Sequence, residues 1–334
     1  MRFAGIENAV ARRGGWRRLG RRRFTYVDAH GDPITDEEAL ERIRSLAIPP
    51  AWTDVWISPN PRARLQATGI DAAGRKQYRY HPSYRAAQER AKYERLVHFA
   101  RSLPRLRSRA ARHLRAGPYA EEWACALAVG LINKAWFRVG SDRHARRSRT
   151  YGVTTLAKRH VSVADDVVRF CFRTKNRRLV RREIRNAALA EGVSDLLELP
   201  YGSRLFRFQR DGELVALTSP LLNAYLAEHL GNGFTAKDFR TWGGTLLAAV
   251  ELERRGAPES EAEAKRVLAA AMRKVGDELG NTPAVARDSY VSPVVVDAYR
   301  EGRTLADFRR PNGGARSRLS ADERALLELL RAHG

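Results

Sequence analysis

Cysteine is nearly absent from this chain of 334 residues, which carries only Cys125 and Cys171. Two cysteines without a C-x-x-C spacing exclude a disulfide framework and a metal site built from thiolates. The most apolar run, residues 123–132, is far shorter than the roughly 20 residues of a membrane-spanning helix, and it predicts a buried helix instead. The basic N-terminal segment lacks the apolar core of a secretory signal. We therefore expect a cytoplasmic protein.

Several catalytic motifs are missing as well. The chain has no P-loop, no dinucleotide-binding glycine pattern and no G-x-S-x-G elbow, and its eight histidines form no close pair of the H-E-x-x-H kind. The sequence therefore gives no support for nucleotide hydrolysis, hydride transfer or serine-hydrolase chemistry. We expect no metal, no nucleotide and no other cofactor.

Acidic residues are few beside the basic ones, since 38 Asp and Glu face 61 Lys and Arg, for a net charge of +23. The basic residues run through the whole chain and form no terminal tail of the kind that anchors proteins to anionic membranes. Repulsion between these charges destabilises the folded chain, and a bound phosphate backbone would reduce that repulsion. The charge therefore favours a polyanion, and not a membrane, as the partner. A proteome that is basic in general remains an alternative explanation of the charge.

The sequence predicts an α+β protein of two domains. Residues 1–82 are rich in Gly, Pro and aromatic residues and predict a small β-rich domain, with strands near 24–27 and 55–57 and a short helix over 36–46 capped by Thr35. Residues 83–334 predict a larger, mainly α-helical domain that carries β-hairpins. Its predicted elements are helices at 84–103, 121–137, 221–230 and 261–279, hairpins at 168–184 and 206–216, a loop-like tail at 303–318, and a final helix opened by a capping box at 320–323.

One segment resembles a known catalytic motif. Residues 281–293, NTPAVARDSYVSP, are similar to the nucleophile motif of type IB DNA topoisomerases, in the small bacterial and poxvirus branch. Other segments resemble motifs of the same family in the expected order, over roughly residues 20–300. Each motif alone is weak, but their order is highly specific. The matches are GRKQYRY at 74–80, AWFRVG at 135–140 with YGVTTL at 151–156, Lys175, KDFRTWG at 237–243, and the nucleophile motif.

The resemblance implies a fold and an activity. The helical domain would be similar to the catalytic domains of tyrosine recombinases and type IB topoisomerases, and the two domains would form a clamp around duplex DNA. Tyr290 would cut one strand and form a 3′-phosphotyrosyl link. The broken strand would then rotate and be resealed, without ATP or metal. The implied partner is double-stranded DNA of the nucleoid, bound by a protein that is a monomer in solution.

The resemblance also implies catalytic roles. Arg138 and Arg240 match the two arginines, whose planar forks suit phosphate oxygens. Lys175, at the predicted hairpin tip, would be the general acid that protonates the departing 5′ oxygen. Lys237, one helical turn before Arg240, would support the phosphate or the proton transfer. Asn281 stands where the family commonly has histidine, and its amide can donate a hydrogen bond but cannot titrate.

Asn281 and Tyr290 lie nine residues apart, which is half a turn out of phase on a continuous helix. Pro283 permits a break between them, so that both side chains can face one phosphate.

The predicted DNA contacts lie on a strand that ends the first domain. Gln77, Tyr78 and Tyr80 alternate with Arg79, so Tyr78 and Tyr80 share one face. Glutamine can read a purine edge and tyrosine hydroxyls can donate to phosphates, while Arg75 and Lys76 add charge. A half-buried aromatic strand is the structural alternative.

Two other functions stay open. A tyrosine recombinase shares the Arg, Lys, Arg and Tyr chemistry, but it typically has His-x-x-Arg where this chain has Lys237-x-x-Arg240, and a helical N-terminal domain. A catalytically silent nucleoid-binding protein would bind DNA with strong salt dependence and form no covalent adduct.

Overall fold

The computed structural model of the chain describes residues 14–20, 23–310 and 318–332. The chain divides into two compact units, Met1–Lys92 and Tyr93–Gly334. The fold is mixed α/β, with a mainly helical core and small antiparallel sheets, which confirms the predicted class. The predicted domain boundary after residue 82 stays a prediction. The first basic residues and residues 311–317 of the predicted tail lie outside the described residues.

The N-terminal unit is a small antiparallel sheet with a helix. Its elements are β1 (Trp16–Leu19), β2 (Thr25–Val27), α1 (Glu37–Ser45), β3 (Thr53–Ile57), β4 (Leu65–Ile70) and β5 (Lys76–Tyr80). The strands lie in the order β2-β1-β3-β4-β5, and Ile43 of α1 packs with Val55, Ile57 and Ala67 of the sheet. The predicted cap of α1 was wrong by one position: Asp36, not Thr35, accepts the backbone N–H of Ala39, because its carboxylate is the group that reaches the first turn.

The rest of the chain is mainly helical. Its helices are α2 (Pro82–Arg115), α3 (Glu121–Ala135), α4 (Asp142–Ser148), α5 (Ala187–Glu198), α6 (Ser219–Leu230), α7 (Ala236–Arg255), α8 (Glu261–Leu279), α9 (Pro283–Tyr290), α10 (Pro293–Arg300) and α11 (Ala321–Ala332). Helix α8 has the predicted bounds, and its apolar stripe is buried as expected. Helix α3 holds the apolar run and is buried over most of its length. No described helix is both long enough and apolar enough to cross a membrane.

Helix α2 is longer than predicted. The sequence pattern was interrupted at Pro104, which lacks an N–H and usually ends a helix. The helix nevertheless continues to Arg115, because Leu103, Leu106 and Ala110 keep one apolar side in the core across the proline.

Both predicted hairpins are present. The first consists of β7 (Val167–Arg173) and β8 (Leu179–Arg185), joined through a 3₁₀ turn, Lys175–Arg177, that places Lys175 at the tip. A strand not predicted from sequence, β6 (Val161–Ala164), pairs with β7 and completes a sheet in the order β6-β7-β8. The second hairpin pairs β9 (Arg207–Arg210) with β10 (Glu213–Ala216).

Helix α11 is tied to the core through one buried carboxylate. Glu323 is 6% exposed, forms the predicted capping box with Ser320, and accepts hydrogen bonds from Arg107 at 2.6 and 2.8 Å and from the indole of Trp242 at 3.2 Å. Burial raises the pKa of Glu323, but the hydrogen bonds and charge of Arg107 outweigh it, so the pKa lies below its ordinary value.

We expect Glu323→Gln to lower the free energy of unfolding by about 2–4 kcal/mol at neutral pH, because the half-buried Arg107 then loses its carboxylate partner. A depressed pKa in the folded protein means that the wild type has this stabilisation above the ordinary glutamate pKa. It loses it as the pH falls through the folded value, so the difference between the proteins should shrink in acid. Urea unfolding at several pH values measures this. Glu328→Gln is the control on the same helix, because its partners Arg310 and Arg331 are exposed, and it should cost less than about 1 kcal/mol. A Glu323 effect independent of pH would contradict the prediction.

Candidate active site

The backbone around Arg138 is held by a neighbouring segment. Helix α3 ends at Ala135, and the next residue, Trp136, caps it in a left-handed conformation with φ of 53°. The N–H of Val153 then donates to the carbonyl oxygen of Arg138 at 2.9 Å. Gly152 permits this approach, since a Cβ atom there would lie 2.4 Å from both the Arg138 oxygen and the Gly140 nitrogen. The YGVTTL segment therefore positions Arg138.

The guanidinium of Arg138 donates to Asn281 Oδ1 at 2.8 Å and lies 3.4 Å from the hydroxyl of Thr174. Because arginine only donates, the oxygen of the Asn281 amide faces Arg138, and its nitrogen donates to the carbonyl of Leu279 at 3.3 Å. Burial, followed by the charge of Arg240, lowers the pKa of Arg138 to about 10, so the group is still charged at neutral pH.

Arg240 projects from α7 into the same region. It is 5% exposed and donates to the carbonyl oxygens of Trp136 and, at 2.7 Å, Leu279. Arg138 also lies 3.5 Å from the Leu279 carbonyl, so the two guanidinium groups converge on one atom. Burial lowers the pKa of Arg240, while Tyr290 acts in the opposite direction. Within the described residues, neither arginine forms an ion pair with a carboxylate.

Tyr290 is the last residue of α9, and its ring centroid lies 5.0 Å from the guanidinium carbon of Arg240. Burial would raise the pKa of Tyr290, but the charge and hydrogen bond of Arg240, followed by the charges of Arg138 and Lys237, lower it below the ordinary value. The surroundings thus make the phenolate of Tyr290 easier to form than that of an ordinary tyrosine.

The backbone at Tyr290 is fixed by side chains that the sequence analysis missed. The buried hydroxyl of Thr245 donates to the Tyr290 carbonyl and accepts the N–H of Ser292, both at 3.1 Å. Tyr93 donates to the carbonyl of Val291 at 2.7 Å. Gly244 lets α7 come close, because a Cβ atom there would lie 2.9 Å from the Tyr290 oxygen.

The predicted break between Asn281 and Tyr290 is present. Gly280, with φ of 63°, ends α8; Asn281 lies in the turn, and Thr282 caps α9 before Pro283 opens it. The turn brings Asn281 against Arg138 while α9 carries Tyr290 to Arg240.

The two predicted lysines lie at the edge of this cluster. Lys175 is exposed and follows Thr174, the buried residue whose hydroxyl neighbours Arg138. Lys237 is exposed in the first turn of α7, and its charge contributes to the lowered pKa of Tyr290. Neither lysine side chain makes a hydrogen bond or ion pair with another residue in the described part of the chain.

Arg178 is a further cation that the sequence analysis missed. It donates to the carbonyl of Asn281 at 2.7 Å and pairs with Asp277 at 3.1 Å, which ties the hairpin to the turn before α9. Arg138, Thr174, Arg178 and Arg240 line one cavity of about 150 Å³. The sequence feature that could have indicated Arg178 is the basic pair at 177–178, directly after the predicted hairpin tip.

The predicted DNA-contact residues lie on and beside β5, in the N-terminal unit. Tyr78 and Tyr80 are 40% and 38% exposed, and their rings stack with centroids 6.1 Å apart, which confirms their common face. Gln77 and Arg75 both contact the carboxylate of Asp71, at 2.8 and 2.7 Å. The Lys76 ammonium lies 5.4 Å from the Tyr78 ring centroid. The aromatic face is therefore partly exposed, and its contact with DNA stays a prediction beside the structural alternative.

Residues 81–301 match the family model described as eukaryotic DNA topoisomerase I, catalytic core, and residues 23–71 match that of the bacterial DNA topoisomerase IB N-terminal domain. The chain belongs to the type IB DNA topoisomerase family. This topoisomerase is also 32% identical, over 285 residues, to the DNA topoisomerase 1B of Acanthamoeba polyphaga mimivirus, covering 83% of this chain and 84% of the viral one. The matches confirm the predicted family. The predicted catalytic residues lie within the core match, whereas residues 75–80 fall between the two matched segments.

We expect Gly152→Ala to slow DNA relaxation by this topoisomerase about 100-fold, because a methyl group 2.4 Å from backbone atoms must displace Arg138, and a shift of about 1 Å can cost that much. Plasmid relaxation at matched protein concentrations measures the effect, and circular dichroism checks the fold. Gly14→Ala is the control, since a Cβ atom there meets no atom of the described residues within 4 Å. An unimpaired Gly152→Ala protein would show that this close approach does not matter.

Proposed function

We propose that this type IB topoisomerase relaxes supercoiled duplex DNA by cutting one strand through Tyr290, allowing it to rotate, and resealing it, without ATP or metal. The observation that carries the proposal is a buried guanidinium group, Arg240, and a half-buried one, Arg138, that converge beside Tyr290 without a carboxylate partner among the described residues. Buried cations without counter-charges are costly unless an anion binds, and a DNA phosphodiester is such an anion.

The two arginines suit the transition state of a phosphoryl transfer. Each can hold a non-bridging oxygen with a planar fork, and the charge that builds up on these oxygens strengthens the interaction as Tyr290 attacks. Asn281, oriented by Arg138, would add an amide donor. This group stabilises charge and moves no proton.

In the cleavage step, the Tyr290 oxygen forms a bond to the scissile phosphorus while the bond from phosphorus to the 5′ oxygen breaks. The lowered pKa of Tyr290 makes its phenolate easier to form. Lys175 would give a proton to the departing 5′ oxygen, and Lys237 would assist beside Arg240. The products are a 3′-phosphotyrosyl link and a 5′ hydroxyl.

The covalent link keeps the energy of the original diester, so the 5′ hydroxyl can reverse the attack after the strand has rotated. Neither ATP nor a metal enters this sequence. We propose that the protein acts as a monomer that clamps duplex DNA, with Gln77, Tyr78 and Tyr80 contacting one side through the small domain, supported by Arg75 and Lys76. Such a protein would work in the cytoplasm on the nucleoid.

The test is plasmid relaxation in EDTA without ATP, combined with trapping of the covalent adduct in detergent. We expect relaxation, and digestion of the adduct should yield a peptide containing residue 290 joined to a 3′ phosphate. Dependence on ATP or Mg²⁺, a 5′ link, or another modified tyrosine would overturn the proposal. DNA binding without any adduct would indicate a silent binding protein, and strand exchange between two duplexes would indicate a recombinase.

A further inference from the structure

The exposed side of the β6-β7-β8 sheet is a basic surface outside the catalytic cluster. We propose that this surface binds the phosphate backbone of the duplex that flanks the cleavage site. The inference rests on the proposed function, since it concerns the same DNA molecule. We call the surface the sheet face; it consists of Ser162, Arg169, Cys171, Arg173, Arg181, Glu183 and the adjacent Arg159.

The strand register places these side chains together. Along β7, residues 169, 171 and 173 are exposed, whereas the intervening phenylalanines at 170 and 172 are buried. Cys171 pairs with Arg181, Arg169 with Glu183, and Ser162 of β6 with Arg169. Residues that pair across strands point to the same side of a sheet, so the exposed residues form one continuous face.

Most of the positive charges on the sheet face have no counter-ion among the described residues. Arg169 is neutralised by Glu183 at 2.8 Å. Arg159, Arg173 and Arg181 have no carboxylate partner in the described ranges; Arg159 contacts a tyrosine hydroxyl and Arg173 a backbone carbonyl. Such a surface suits a polyanion better than an apolar protein partner.

An open recess on the sheet face offers hydrogen-bond donors to a phosphate backbone. Arg159, Ser162, Cys171 and Arg181 line this recess, whose volume is about 460 Å³. Guanidinium and hydroxyl groups that line one recess can donate to phosphate oxygens.

The sheet face is continuous with the catalytic cluster. Strand β7 leads from this face to Thr174, which contacts Arg138, and then to Lys175. Cys171 precedes Lys175 by four residues, so at ~3.3 Å per residue of strand their Cα atoms lie at most about 13 Å apart. Duplex DNA rises ~3.4 Å per base pair, so about four base pairs of flanking duplex span that distance. The surface therefore lies within reach of the flanking duplex.

The chain contains its own reporter for this contact. Cys171 is exposed on the sheet face, whereas Cys125, the other cysteine, is 1% exposed inside α3. The experiment measures alkylation of Cys171 by a small neutral thiol reagent, with the full chain saturated by duplex DNA and with the protein alone. Binding is monitored separately by fluorescence anisotropy of the DNA.

We expect a duplex that extends about ten base pairs on both sides of the cleavage site to slow alkylation at least about tenfold. A duplex truncated just beyond the cleavage site should leave the rate near that of the free protein, and Cys125 should stay unreactive throughout. Unchanged alkylation on the bound long duplex would overturn the inference while the proposed function stood, if the adduct still formed. Equal protection by both duplexes would also overturn it.

A charge variant gives an independent readout. Arg181→Gln should weaken binding of the long duplex and reduce the slope of log affinity against log salt by about one phosphate contact. Arg266→Gln, an exposed arginine on α8, is the control and should change neither quantity. An Arg181→Gln protein with the wild-type salt slope would contradict a phosphate contact at this residue.

Discussion

Tyr290→Phe should abolish the covalent DNA adduct and reduce plasmid relaxation by at least about 10⁴-fold. The substitution removes only the phenolic oxygen, which is the atom proposed to attack the phosphorus, and loss of a nucleophile typically costs several orders of magnitude. Two features should preserve the rest of the site. The phenyl ring can keep its place beside Arg240, and the backbone bond from Thr245 does not involve the side chain.

DNA affinity should therefore survive in Tyr290→Phe, because the cations that bind the phosphate are unchanged. Single-turnover adduct formation measures the chemistry, and anisotropy of a labelled duplex measures binding. Tyr299→Phe is the matched control, since it removes a hydroxyl from a buried tyrosine on the next helix and should leave relaxation intact. Residual adduct in Tyr290→Phe would mean that another residue is the nucleophile.

Much of the fold could be predicted from local periodicity. The apolar stripe of α8 and the alternation of β7 determine their structures over a few residues, and both predictions were confirmed. Tertiary contacts explain what was missed. Helix α2 passes Pro104 because its flanking residues are buried, and β6 becomes a strand by pairing with β7. Neither effect is visible in the local sequence.

The residues of the candidate site could also be predicted only in part. Its central residues, including Arg138, Arg240 and Tyr290, could be predicted because they belong to recognisable motifs, although their roles stay predictions. The residues that hold them could not. Tyr93 reaches Val291 across 198 positions, and the hydroxyl of Thr245 is aimed by the packing of α7 against the end of α9. Contacts between residues so far apart in the sequence depend on the whole fold.

Substitution of Arg240 should have the next largest effect on activity. Arg240→Lys keeps a positive charge, but an ammonium cannot reproduce the planar fork that contacts two carbonyl oxygens and faces Tyr290. We expect single-turnover cleavage to fall about 100-fold in Arg240→Lys. Arg240→Gln also removes the charge, and we expect a loss of about 1,000-fold, comparable to deletion of a principal transition-state donor.

The pH dependence of cleavage separates the effect of Arg240 on the pKa of Tyr290 from its effect on the phosphate. Its charge and hydrogen bond are the strongest influences that lower the pKa of Tyr290, so Arg240→Gln should raise that pKa. The acidic limb of the cleavage profile should then move to higher pH, and high pH should recover part of the lost rate. Arg254→Lys, on an exposed turn of the same helix, should alter neither the rate nor the profile. A uniform loss at all pH values in Arg240→Gln would show that Arg240 acts on the phosphate alone, because a nucleophile that Arg240 activates must become harder to ionise when the charge is removed.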